Sequence, residues 1–298
     1  MPSFPGPLKG LSIITEDNIE HPLMGTSIHP VFLDGTGIIP VRRLLEKAPF
    51  QQGMSDRGFR QGVRRMTLQL MLEGSNEVHA DSLRDQVAAL FVPTNSPIKL
   101  RAIRDDLTVR QIDCYVDGEI DFPQSTRQGA GQLVTVPLVA PNPAWYFATQ
   151  QVTTSLLTEG TDIDLDISVA GLTADDWPVI NITGPAAIGL TIRHYPGYAA
   201  GYTNHDFTLI TAIAALETIA FDLRPGYKSA RNQNFSNRMS YINPLFLGSF
   251  SEMRLMSEHT TRATDAAWTT TNRFRFNATG VDGNTRATIA YYKRYASL

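Results

Sequence analysis

The sequence predicts a mainly β protein of two domains with a single helix. Three observations carry that expectation. Apolar residues alternate with polar ones at period two in short segments along the whole chain, as in Met66, Leu68, Leu70 and Leu72 or in Ile219, Phe221 and Leu223. Helical periodicity is convincing in one place, where Leu83, Val87, Leu90 and Phe91 fall at i, i+4, i+7 and i+8. Near the middle, Pro141-Asn142-Pro143 cannot continue a central strand and fixes an extended turn. A length of 298 residues suits two domains, placed at 1–150 and 151–298. With 42% apolar and 18% charged residues, the chain can bury ordinary cores.

Residues 1–10 are rich in Pro and Gly and read as an arm. Leu11–Glu16 and Thr26–Leu33 are expected strands, and Asp34-Gly35-Thr36-Gly37 is a turn. Val41–Leu45 reads as a strand or a short helix. Phe50–Gly62 is polar and glycine-bearing, as in an exposed loop or long hairpin arm. Within it, Arg57 and Arg60 can pair with a neighbour's carboxylates and are expected subunit-interface residues.

The stretch from Arg64 to Val139 organises the chain. Met66–Leu72 is a strand, Gly74-Ser75-Asn76 breaks it and offers a cap, and a helix runs from about Glu77 to Phe91. Glu77, Asp81 and Asp85 lie in its first half, where the helix dipole favours acid, and Pro93 stops it. A hairpin follows, Ile98–Ile103 and Leu107–Val116 around Arg104-Asp105-Asp106, then a closing strand at Gln132–Val139. The cluster Ala144-Trp145-Tyr146-Phe147 is expected to plug the joint between domains.

The second half predicts a β-sandwich from short strands at Val179–Thr183, Ile188–Arg193, Phe207–Thr211, Glu217–Leu223, Glu252–Met256, Asn272–Ala278 and Arg286–Tyr295. Ile188, Leu190 and Ile192 alternate, and Val281-Asp282-Gly283-Asn284 reads as the turn of a hairpin between the last two strands.

Composition excludes several function classes. Net charge is −3 and evenly spread, with 14 basic and 16 acidic residues in 1–150 and 12 and 13 in the rest. A nucleic-acid-binding surface needs concentrated positive charge. The one cysteine, Cys114, forms no intrachain disulfide and alternates with Ile112 and Val116 as a small buried hydrophobe. No stretch has the length and apolarity of a membrane span. The N-terminal residues hold no signal-peptide core, which suggests assembly in a cytoplasm.

Catalytic and metal motifs are weak. Asp34-Gly35-Thr36-Gly37 differs from the Asp-Thr-Gly of aspartic proteases by an extra Gly and has no second copy. Asp162, Asp164 and Asp166 open like a calcium loop, but Ile167 and Thr173 stand where Gly and Glu are needed. They read as three carboxylates on one exposed strand face. His21, His29, His79, His194, His205 and His259 show no metal-ligand spacing. Tyr195, Tyr198 and Tyr202 form an aromatic loop that suits a carbohydrate or an assembly contact. Neither an enzyme nor a cofactor is expected.

Taken in order, Arg64-Arg65-Met66-Thr67-Leu68-Gln69-Leu70, the helix Leu83–Leu90 with Pro93, Ile98-Lys99-Leu100 and the run ending Ala140-Pro141-Asn142-Pro143-Ala144-Trp145-Tyr146 resemble the distal tail protein family of long-tailed siphophages. The C-terminal Ala287–Leu298 is similar to that family's closing strand. The family's Pro-Gly-x-Asn before the penultimate strand survives only as Asn272, after Thr270-Thr271. The resemblance implies a tail-tube-like first domain with one helix and a galectin-like second domain. It further implies a homo-hexameric ring joining the tail tube protein to the tail-tip hub protein in the virion, with a receptor-binding protein as a further partner. DNA would pass through the lumen without specific binding. The competing reading is a carbohydrate-binding adhesin or tail-fibre-like module.

Overall fold

The computed structural model describes residues 8–46, 54–168, 173–196, 205–224, 228–243, 253–255 and 271–298, and for 55–60 the backbone alone. They form two compact units. The first holds the described residues up to Ala148 together with Tyr295–Leu298; the second holds those of Thr149–Arg294.

The first unit contains β1 (Leu8–Ile14), β2 (Glu20–Pro22), β3 (Ile28–Asp34), β4 (Val41–Glu46), β5 (Ser55–Gln61), β6 (Arg64–Glu73), α1 (Glu77–Leu90), β7 (Ile98–Arg104), β8 (Val109–Val116), β9 (Gly131–Ala140) and β10 (Trp145–Phe147). Its main sheet has the order β2-β1-β7-β8-β9-β6-β3, so β2 and β3 are opposite edges. β6 pairs antiparallel with β9 along its whole length, from Arg64 opposite Ala140 to Glu73 opposite Gly131. α1 starts as its sequence dictates: the Asn76 side chain accepts from the His79 backbone N–H at 2.8 Å. Its buried stripe is Ala80, Leu83 and Val87, continued by Phe91, and it packs with Met66, Leu68, Leu70 and Leu72 of β6. Leu90, expected on the same stripe, is only partly buried.

Trp145 is wholly buried in this same cluster. It therefore fills the first unit's core, whereas the sequence had suggested a plug at a joint; an indole beside a proline break carries no signal of which core it enters.

The Val41–Leu45 segment is a strand. β4 and β5 form a separate two-stranded sheet, the hairpin arm, with Val41 opposite Gln61 and Glu46 opposite Ser55. Every β4 side chain is exposed except Leu44, which is half-buried.

The second unit is a sandwich of β11 (Gln151–Leu156), β12 (Ile163–Ser168), β13 (Val179–Thr183), β14 (Thr191–Tyr195), β15 (His205–Thr208), β16 (Thr218–Asp222), β17 (Ser229–Asn232), β18 (Thr271–Asn277) and β19 (Arg286–Tyr291), before the two-residue β20 (Arg294–Tyr295). One sheet runs β11-β19-β13-β16-β17 and the other β12-β18-β14-β15. Phe207 of β15 and Phe221 of β16 meet between them, ring centroids 5.3 Å apart.

Three expectations change here. Val281–Asn284 links β18 to β19, which belong to different sheets, so the Asp-Gly turn is a crossover and not a hairpin. Asp282 caps this turn, accepting from the Asn284 backbone N–H at 2.8 Å and from the Thr285 hydroxyl, and such a capped turn serves either connection. Ile188 is 65% exposed, because Gly189, at φ 99°, turns the chain before β14 begins; Leu190 and Ile192 alone face inward. The last segment breaks after Tyr291 instead of running unbroken to Tyr295. Of the expected Glu252–Met256 strand, Leu255 bridges Asp176, while 252 and 256 lie outside the described residues.

Candidate functional site

Arg64 is tied into the first unit by four hydrogen bonds. It heads β6 and shares parity with Met66, Leu68, Leu70 and Leu72, so its side chain enters the apolar interior, where it is 1% exposed. The guanidinium donates to four carbonyls: Nε to Pro143 at 2.7 Å, Nη1 to Gly35 at 2.6 Å and Gly37 at 2.7 Å, and Nη2 to Ala296 at 2.7 Å. Burial pushes its pKa down to about 10, which leaves it a cation at neutral pH. Gly35 permits the approach: its φ is +78° and an added Cβ would stand 2.1 Å from the Arg65 carbonyl oxygen.

A second arginine grips the same C-terminal residues. Arg110 donates to the Ser297 carbonyl at 2.7 Å and lies 3.7 Å over the Tyr295 ring, while the Leu298 N–H donates to Thr36. Segments far apart in sequence are thus pinned through backbone carbonyls, a role that residue-type motifs do not reveal. The signal available in the sequence was parity, a charged residue in register with an apolar strand face.

Among the described residues of the first unit, two open surfaces stand out. The first is the hairpin arm, with Val41 and Leu45 about half exposed beside Ile38, Met54 and Val63. The side chains of Arg57 and Arg60 lie outside what is described; their backbone is in β5. The second is a cleft of about 600 Å³ between the β1–β2 turn and the C-terminal end of α1. Glu16 and Asp17 stand on one side, and Ala89, Leu90, Val92 and Ile98 on the other. The last turn of α1 carries no basic residue.

On the second unit, the three aspartates form a ladder with β18. Asp166 accepts both Nε and Nη2 of Arg273, at 2.7 and 2.9 Å, and Asp164 accepts the same pair from Arg275 at the same distances. Asn277 donates to Asp162 at 2.6 Å. Arg275 holds the Asp164 carboxyl below the usual carboxylate range, and Asp164 pushes the Arg275 pKa up. The carboxylates are thus engaged by arginine, and among the described residues no cluster of His, Cys, Asp or Glu could hold a metal ion.

Tyr195 lies on β14 beside this ladder, its ring 5.4 Å from the Arg275 guanidinium. A hollow of about 220 Å³ is lined by Asp162, Thr191, Arg193, Arg275 and Asn277. Tyr198 and Tyr202 lie outside the described residues. Cys114 is fully buried and burial raises its pKa to about 12, so its thiol is protonated and sequestered. Among the described residues no helix is long and apolar enough to cross a membrane.

No protein-family model matches the chain, and no curated protein matches it by sequence. Solved structures do. The Dit protein of phage SPP1, described as a paradigm of the hub adsorption apparatus in phages infecting Gram-positive hosts, superposes with a TM-score of 0.66 at 11% identity, covering 96% of this chain and 99% of that one. A chain of the phage p2 baseplate in its activated conformation, determined once with calcium and once with strontium, gives a TM-score of 0.52 at 8% identity, covering 97% and 99%. At such identities the likeness is one of fold, and the fold of this chain is that of the SPP1 Dit protein.

Proposed function

We propose that the chain is a structural protein of a phage tail tip, six copies of which close into a ring between the tail tube and the tail-tip hub protein. The observation that carries this reading is the end-to-end likeness to the SPP1 Dit protein, which spans both units. The chemistry supports it. In this reading the role is structural, and the buried thiol of Cys114 takes no part in it. Net charge is low and evenly spread, which suits a lumen that DNA crosses without being held. In this reading the first unit forms the ring, with Arg57 and Arg60 on the arm facing a neighbouring subunit. The second unit offers surface to a receptor-binding protein. The ring assembles in the host cytoplasm and resides at the tail tip of the virion, with no cofactor.

Electron microscopy of assembled tails tests this: six copies around the axis at the distal end are expected. Copies found only at fibre tips, or in numbers unrelated to three or six, overturn it.

A second reading has one observation in its favour. The hollow is lined by hydroxyl-pairing groups, and Arg275 of that lining lies 5.4 Å from the Tyr195 ring, polar and aromatic partners of the kind a carbohydrate site uses. An adhesin role predicts binding of the full chain to a glycan panel, lost in Tyr195→Ala and Arg193→Ala. Binding that survives both substitutions, or none at all, removes it.

A further inference from the structure

We infer that the open edge of β11 is a pairing site for a second copy of this chain, the two β11 strands running antiparallel across a two-fold axis at Thr154 and joining their sheets into one.

The first argument is the state of the edge. β11 ends its sheet, and β19 is its one neighbour among the described strands. The Leu157 N–H donates to the Thr285 carbonyl at 2.9 Å, and the register runs unbroken from Gln151 opposite Tyr291 to Leu156 opposite Arg286. The bonds to β19 therefore fall to the odd-numbered residues, and the backbone N–H and C=O groups of Val152, Thr154 and Leu156 point away from it. No described strand meets them; the Leu156 carbonyl takes only the Ser155 hydroxyl, at 3.3 Å.

The second argument compares this edge with the others. Open edges recruit foreign strands, and chains protect them with charge, proline, bulges or brevity. The second unit's other edge strands have such protection. β12 carries Asp164 and Asp166, β15 has four residues that include Asp206, and β17 has four that include an exposed Arg231. On the main sheet of the first unit, β2 is three residues long and β3 contains Pro30 and a register shift. β11, Gln151-Val152-Thr153-Thr154-Ser155-Leu156, has six residues, no charge, no proline and no shift.

The faces of β11 are also reversed. Gln151, Thr153 and Ser155 stand opposite the buried Tyr291, Ile289 and Ala287, while Val152 and Leu156 turn outward at 58% and 59% exposure. Polar residues inward and apolar ones outward are the opposite of what a solvated sandwich edge presents.

Self-complementarity selects the occupant. Pairing centred on Thr154 sets Val152 of each copy opposite Leu156 of the other, and Thr154 opposite Thr154, each pair exchanging two backbone hydrogen bonds. All three outward residues are used, apolar meets apolar, and no like charges meet. A slip of two residues would leave a ladder group unpaired at each end. A closed ring relates its members by rotation about one axis, so a two-fold pairing joins copies that are not members of one ring, and it does not rest on the ring reading.

Light scattering and cysteine linkage on the purified full-length chain test this. Thr154 is exposed, so substitutions there leave the core alone. Across a concentration series the wild-type mass should rise to twice that of Thr154→Lys, in which like charges meet at the axis, and mixing Thr154→Lys with Thr154→Glu should restore the doubling. The native Cys114 is buried and does not compete. Oxidised with copper phenanthroline, Thr154→Cys should link to itself across a Cα separation of about 5.5 Å. Leu156→Cys should not, since its two copies would lie roughly 14 Å apart at about 3.4 Å per residue. A wild-type mass equal to that of Thr154→Lys throughout, or linkage of Leu156→Cys as ready as that of Thr154→Cys, overturns the pairing. So does hydrogen exchange that finds the β11 amides open in the pure chain and protected only in assembled tails, because the edge then serves a different protein.

Discussion

Replacing Arg64 by methionine removes a cation and five N–H donors while keeping a side chain of comparable length. In the folded protein four carbonyls, those of Gly35, Gly37, Pro143 and Ala296, each lose a donor 2.6–2.7 Å away. At about 1 kcal/mol net per lost bond the deficit is about 4 kcal/mol. The apolar replacement avoids burying a charge, which offsets part of that, so a destabilisation of about 2–4 kcal/mol is expected. Arg64→Lys keeps the charge, but its point-like ammonium cannot reach four acceptors spread around a planar fork, and should recover less than half of the loss. Urea denaturation followed by tryptophan fluorescence reads this directly, since Trp145 is buried in the same core. A loss below about 0.5 kcal/mol for Arg64→Met would show that the carbonyls find other donors and that the clamp is not a source of stability. Coupling gives a sharper check. Deleting residues 296–298 removes one of the four acceptors, so the deletion and Arg64→Met should be clearly sub-additive.

Leu83→Asp puts a carboxylate on the buried stripe of α1, where the side chain is 4% exposed, and should cost about 4 kcal/mol or more in the same assay. His194, fully buried between Phe274 and His205 and bonded through Nε2 to Asn272, has its pKa driven by burial from 6.5 to about 3. The unfolded chain takes up this proton near pH 6.5 and the folded one only near 3. Stability present above pH 6.5 should therefore fall, by a few kcal/mol in all, as the pH drops across that interval. His194→Gln should flatten this part of the stability–pH curve, and an unchanged slope would refute the assignment. Asp164→Asn, on an exposed ladder, should cost no more than about 1 kcal/mol, an effect that 1 M salt largely erases.

Much of the first unit was legible because local signals and burial agree there. Met66, Leu68, Leu70 and Leu72 alternate on a face that is buried, and Asn76 and Pro93 punctuate the helix where capping chemistry places its ends. What stayed hidden depends on pairing at a distance. Asp282-Gly283 specifies a tight turn but not which sheet receives the next strand. Asp162, Asp164 and Asp166 showed a charged strand face, while their partners Arg273 and Arg275 lie more than a hundred residues away, so the ladder could not be foreseen. The two open surfaces were half visible: the arm showed as an uncommitted polar stretch, but the cleft is made by three segments that only the fold brings together.

The carbonyl of Ala296 in the Arg64 clamp also bears on the order in which the protein is made. The second unit is synthesised between the two parts of the first. A chain that stops anywhere inside it carries every strand from β1 to β10 yet leaves Arg64 one acceptor short and Arg110 without its Ser297 contact. Completion of the first unit thus reports that translation has run through the second. A truncated product is then the less stable one, and the more readily cleared.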